Sequence, residues 1–140
     1  MIRHLNALRE RLSNRGPVHI GGVEGEPGTV PTPPYLIVWS SAGGAGRDPS
    51  IGGACGSMSD TVGVTCVAGT EEGAIILGTS VREDLTPGFG PGSLAVEGRH
   101  VTLTHSESRP VQVDRDVRIT DTNTHPAYVV ERFGLDSQPA

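Results

Sequence analysis

Two cysteines, five histidines, one close pair of aspartates and two glycine runs are the residues whose types could do chemistry in this chain. Cys55 lies in a glycine-rich stretch with no neighbouring His or cluster of cations to lower its pKa, so loop filling accounts for it better than a nucleophile does. Cys66 alternates with Val62 and Val64 and reads as a small buried hydrophobe. His4, His19, His100, His105 and His125 lack the spacings that set two metal ligands on one turn or knuckle. Asp114 and Asp116 would share one face of an extended backbone and could hold a divalent ion. The calcium-loop pattern fails beyond them, because Arg118 stands where Asp or Asn is required, and a solvated strand end or an intersubunit ion pair is the better account. Gly43-Gly44-Ala45-Gly46 follows an apolar run but enters a Pro-containing loop, so it lacks the helix N-terminus that holds a pyrophosphate. The Gly88 to Gly92 run reads likewise as a flexible loop, and no Gly-x-Ser-x-Gly elbow is present. These residues assign no catalytic group, no cofactor and no metal ligand.

Composition narrows the classes further. The chain has 140 residues, enough for one domain spanning 1–140. Gly 20 and Pro 11 against 35% hydrophobic and 4% aromatic residues imply a modest core joined by long loops. A chain of that kind gains stability from partners that bind only its folded state. The net charge of -5 disfavours tight binding to a nucleic-acid backbone. All eleven basic residues are Arg, which removes phosphate-loop lysines, Schiff bases and Ser-Lys dyads. No apolar stretch reaches the roughly 18 to 20 residues of a membrane span, and the opening residues lack the apolar region of a secretory signal. Two cysteines cannot build a disulfide framework, so a soluble protein from a reducing compartment is expected.

The periodicity predicts the elements that must position any site. Ile2, Leu5, Leu8 and Leu12 fall on one face of a helix over 2–14, ended by Gly16 and Pro17. A short strand at 18–20 precedes a Gly/Pro loop. Tyr35 to Trp39 reads as a central strand covered on both faces. Residues 41–60 read as one long loop, the first candidate contact element, because loops of that length are usually functional. A strand over 61–68 leads into a helix over 70–85, with Thr70 as its cap and Ala74, Leu77, Gly78, Val81 and Leu85 as its apolar stripe. Residues 89–99 read as a loop, followed by strands at 100–105, 111–113, 116–119 and 127–133. The expected fold is α/β in the α+β sense, with a mixed, largely antiparallel sheet, two helices on one face and long Gly-rich loops.

Leu5-Asn6-Ala7-Leu8-Arg9-Glu10-Arg11-Leu12, the strand Pro34-Tyr35-Leu36-Ile37-Val38, the helix from Thr70 to Leu85 and the ending Tyr128-Val129-Val130 come in an order that resembles the tail terminator proteins of long-tailed bacteriophages. The resemblance implies a structural virion protein of the neck and not an enzyme. Such a protein forms a hexameric ring that docks on the last ring of the tail tube protein, stops polymerisation and meets the head-completion or stopper protein above. Genomic DNA would pass through the ring without specific binding. Assembly would occur in the host cytoplasm, with no membrane partner. Arg47, Asp48, Ile51 and Phe89 are the candidate contacts between subunits and to the tube, since a charged pair and exposed apolar groups among glycines have little internal use. Another head-tail connector shares this logic. A small thiol-dependent or ligand-binding enzyme is the reading from another class, and it requires Cys55 or the Asp114/Asp116 pair to sit in a water-excluding pocket.

Overall fold

Apolar faces with periods of two and of 3.6 meet here across a single sheet. The computed structural model describes residues 2–23, 28–41 and 57–140. The elements run α1 (Ile2–Leu12), β1 (Val18–Ile20), β2 (Thr29–Val30), β3 (Tyr35–Ser40), β4 (Met58–Ala68), α2 (Glu71–Leu85), β5 (Gly92–Val96), β6 (Arg99–Val113), β7 (Arg118–Ile119) and β8 (Ala127–Pro139). Six strands form one sheet in the order β1-β3-β4-β8-β6-β5, antiparallel except for the β1/β3 pair. The fold is therefore mixed α+β.

Both helices cover the same face of this sheet. Leu5, Leu8 and Leu12 of α1 and Ala74, Val81 and Leu85 of α2 bury against Leu36 and Val38 of β3, Val62, Val64 and Cys66 of β4, and Val129, Phe133 and Leu135 of β8. Thr70 caps α2, its Oγ1 accepting from the Gly73 N–H at 3.0 Å, with Glu71 and Glu72 in the first turn where the helix dipole favours anions. Gly78 lets α2 lie close to the sheet, because a Cβ there would meet Val129 at 2.5 Å. On the other face, Tyr35 and Val67 join Val30 and Ile119, which the two-stranded parallel pair β2/β7 brings over the sheet. The expectation that β3 is covered on both sides is met in this way.

Several local expectations need correction. The strand expected at 116–119 is only Arg118–Ile119, and it pairs in parallel, outside the six-stranded sheet, with β2, which lies in the stretch expected as a Gly/Pro loop. Ile2 is exposed, and His4 takes the buried place in the first turn of α1, whose helix ends at Leu12 in a 3-10 turn over Ser13–Arg15. The loop expected over 41–60 ends earlier, since β4 begins at Met58. The loop expected at 89–99 contains β5, whose Leu94 and Val96 are buried. Gly92 disguises that strand, yet it is required there, because a Cβ would fall 1.7 Å from the Leu85 carbonyl oxygen. The separate strands at 100–105 and 111–113 are one strand, β6, whose alternation is broken by register shifts between His105 and Glu107 and between Arg109 and Gln112.

Two substitutions check this packing. Leu8→Asp and Val81→Asp each place an unpaired carboxylate among fully buried groups and should cost several kcal/mol in denaturant unfolding. Gly63 lies under the single tryptophan, where a Cβ would come within 2.1 Å of the Trp39 ring. Gly63→Ala should displace that ring, red-shift its fluorescence and lower stability by about 1 to 3 kcal/mol. An unchanged emission spectrum would contradict the packing.

Candidate functional site

Two polar clusters lie on the helix-covered face, where burial makes them the first places to look for chemistry. Register places Glu131 of β8 on that face, between Val129 and Phe133. Its Oε2 accepts from the Ser108 hydroxyl and lies 2.8 Å from His105 Nε2, which is itself 3.1 Å from the Ser108 Oγ. A nucleophilic relay needs the two ring nitrogens of a histidine to serve the acid and the hydroxyl separately. Here a single nitrogen faces both, and the carboxylate takes the hydroxyl proton's hydrogen bond directly. The arrangement satisfies a buried carboxylate and offers no route for activating Ser108.

The second cluster ties α1 to the end of β8. His4 Nε2 and Ser137 Oγ are 2.9 Å apart, and the Arg99 guanidinium donates to the Ser137 hydroxyl and, at 3.1 Å, to its carbonyl. Burial first, then the positive charges of the chain start, Arg99 and Arg3, pull the His4 pKa down from 6.5 to about 4. Neutral His4 shares a hydrogen bond with the Ser137 hydroxyl through Nε2, and its other nitrogen, Nδ1, has no partner among the described residues. Ser137 is fully buried, which leaves a substrate no approach to its hydroxyl.

The residues singled out in the sequence fall elsewhere. Cys66 is buried, and desolvation together with the Glu131 charge raises its thiol pKa well above the ordinary value, so it is inert. Asp114 and Asp116 do not share an extended strand face. Asp114 precedes a turn that contains Asp116, and its Oδ1 accepts from the Asp116 N–H at 3.1 Å. Among the described residues no three His, Cys, Asp or Glu side chains gather as a metal site. Arg47, Asp48, Ile51 and Cys55 lie outside the described residues. Phe89 sits in the 3-10 turn Pro87–Phe89 that follows α2 and is 72% exposed. Its φ of 64° and the Arg82 guanidinium, 5.2 Å from the ring centroid, hold it outward.

Three further features are missed by periodicity. Ile75 and Ile76 stand 51% and 59% exposed on α2. Their signal was available, since two isoleucines interrupt the solvent side of a helix whose buried stripe is complete without them. A hollow of about 480 Å³ runs beside Ile76, lined also by Pro33, Pro34, Gly73 and Leu77. Finally, β5 covers β6 only over Arg99–Leu103, so among the described residues the outer edge of Thr104–Val113 pairs with no strand. The arrangement thus concentrates its unmatched groups at α2 and at one sheet edge.

No family model and no curated protein matches the chain. A solved structure 18% identical superposes with a TM-score of 0.56 over 99% of this chain and 96% of that one, among five solved chains that match. At that identity the likeness establishes the fold and carries no activity with it.

The buried histidine gives a pH test with a definite sign. Between about pH 6.5 and 4 the unfolded chain binds a proton at His4 that the folded chain refuses. Its contribution is therefore fully present above pH 6.5 and falls as pH drops through that window. His4→Gln should flatten the stability-pH slope between pH 6.5 and 4, and a slope equal to that of the parent protein would contradict the burial of a neutral His4.

Proposed function

We propose that this chain is a structural virion protein of a phage neck, a tail terminator whose subunits form a hexameric ring that caps the tail tube. The observation that carries the reading is the apolar surface that α2 and the turn after it leave in solvent: Ile75, Ile76 and Phe89 stand out on a domain whose core is already closed. Exposed apolar groups of that size mark contact surfaces. The edge of β6 that pairs with no strand among the described residues supports the same reading, since an unpaired edge offers main-chain groups to another chain. The sequence order of helix, apolar strand, capped helix and terminal strand is the second support. In this reading the ring stops tube polymerisation, meets the head-completion protein on its far side and lets the genome pass through a lumen to which it does not bind.

Assembly of purified protein tests the proposal. The expected result is a closed ring by sedimentation and native mass measurement, formed head to tail so that rotation closes it. In tail assembly, removal of residues 44–56, which carry the candidate contacts Arg47, Asp48 and Ile51, should let tubes grow past their normal length. A chain that stays monomeric at high concentration and never associates with tails overturns the proposal, and normal tail lengths from the deletion overturn the role of that segment.

A further inference from the structure

The face of the sheet that the helices leave uncovered holds a hollow of its own. It measures about 200 Å³ and lies between the sheet and the β2/β7 pair, with Tyr35, Val67 and Tyr128 on the sheet side and Val30 and Val117 opposite. Asp114 is the only charged group among the described residues that line it. Phe89 cannot reach this hollow within one molecule. After a two-residue turn α2 doubles back along β4, so its last residue, Leu85, lies beside Gly92, which is level with Leu103, Leu135 and Asp60 across the sheet. The hollow lies at the level of Val67, seven residues further along β4, which is roughly 23 Å at about 3.3 Å per residue. The protein therefore carries an aromatic knob at one end of the sheet on the helix side, and an apolar hollow at the other end on the opposite side.

We propose that Phe89 of one subunit seats in the hollow between the sheet and the β2/β7 pair of a second copy of this chain, with Arg82 set against Asp114. This inference rests on the ring reading and specifies its subunit contact. The size is right, since an apolar cavity of about 150 Å³ admits benzene and this hollow is larger. Tyr35 and Tyr128 offer a phenyl group the edge-to-face contacts that aromatic pairs prefer, and Tyr128 is fixed by its hydroxyl, which donates to Gln112 at 2.7 Å. Charge complementarity favours a second copy as the occupant. The Arg82 guanidinium, 5.2 Å from the Phe89 centroid, arrives with the knob, and its Nε is buried with no hydrogen-bond partner among the described residues. Asp114 supplies the matching carboxylate at the hollow. Its Oδ1 accepts from the Asp116 N–H, which holds the side chain in place, and a carboxylate keeps further acceptor sites for a guanidinium. An aromatic anchor beside Arg is the kind of group on which interface energy concentrates. Knob and hollow are different surfaces, so a docked pair leaves one of each free. That is a heterologous contact, which propagates until rotation closes it.

Disulfide trapping separates this contact from the ring reading itself. In a Cys55→Ser background, with Cys66 buried and unreactive, one chain carries Gly90→Cys beside the knob and another carries Arg115→Cys at the rim of the hollow, so that Phe89 and Asp114 stay intact. A covalent dimer should form when the two are mixed and oxidised, and in neither chain alone. No dimer in the mixture, from a protein that still forms rings, overturns the contact while the ring reading stands. A dimer from Gly90→Cys chains alone indicates a symmetric contact and overturns it as well. A parent protein that remains monomeric removes both readings. Charge reversal then tests the ion pair: Arg82→Glu and Asp114→Arg should each stay folded and lose the ring mass, and the two together in one chain should regain it. Rings of parental mass from either single variant, or a double variant that stays monomeric, overturn the pairing of Arg82 with Asp114. Rings that persist in Phe89→Ala but no longer cap tubes place Phe89 against the tube protein and overturn the subunit contact.

Discussion

The antiparallel pairing of β4 with β8 is the constraint on which the rest of the molecule depends. Met58–Ala68 runs against Ser137–Ala127 without interruption, matching Val62 to Phe133, Val64 to Glu131 and Cys66 to Val129. A slip of one residue would exchange the faces, sending Phe133 to the polar side and Arg132 into the core. The correct register has its own cost, because it also delivers Glu131 to the covered face. That carboxylate is tolerated only because the β6 irregularity after His105 lets both His105 and Ser108 reach it. The bulge that hides the strand from sequence patterning thus serves to satisfy a buried charge.

Around this pair, missing side chains fix distances and ion pairs fix orientation. Gly78 sets how closely α2 approaches β8, Gly92 how closely β5 passes the end of α2, and Gly63 provides the bed for Trp39, whose indole also donates to Thr65 at 3.1 Å. The end of α1 is tied to the end of α2 by Arg15, which donates to both oxygens of Asp84 at 2.7 and 2.8 Å, and by Arg11, which donates to the Asp84 carbonyl at 2.9 Å. The Arg15 hydrogen bonds hold the Asp84 carboxyl below its usual pKa against the opposing effect of burial. The two-point fork of Arg15 orients the helices in a way a single-point lysine contact would not, which gives one of the arginines a local use.

Periodicity made the helices, their shared face, the Thr70 cap and the central strands readable, because each of these depends on local spacing. What it could not reveal depended on long-range geometry. Gly92 looks like a loop residue until Leu85 is placed beside it. The polar stretch Ser106 to Pro110 looks like a break until β8 is seen to carry it. His4 looks like a surface residue beside Ile2 until Ser137 and Arg99 arrive from the far end of the chain. Of the expected contact residues, Phe89 was legible because an aromatic between glycines has no local apolar stripe to join, while Arg47, Asp48 and Ile51 lie beyond the described residues. Ile75 and Ile76 are surplus to the buried stripe of α2, so the period of that stripe does not point to them.

The outer edge of β6, which no strand among the described residues covers, has a consequence for aggregation. An unpaired strand edge is a template for indiscriminate pairing with any other extended chain. Along Thr104–Val113 that edge carries Glu107, Arg109 and Pro110, with Glu107 and Arg109 in an exposed ion pair at 3.1 Å. Proline lacks the N–H that an incoming strand would need, and the flanking charges resist dehydration, so the edge admits a shaped partner more readily than a random one. Resistance to indiscriminate strand addition and the offer of a main-chain edge thus rest on the same few residues.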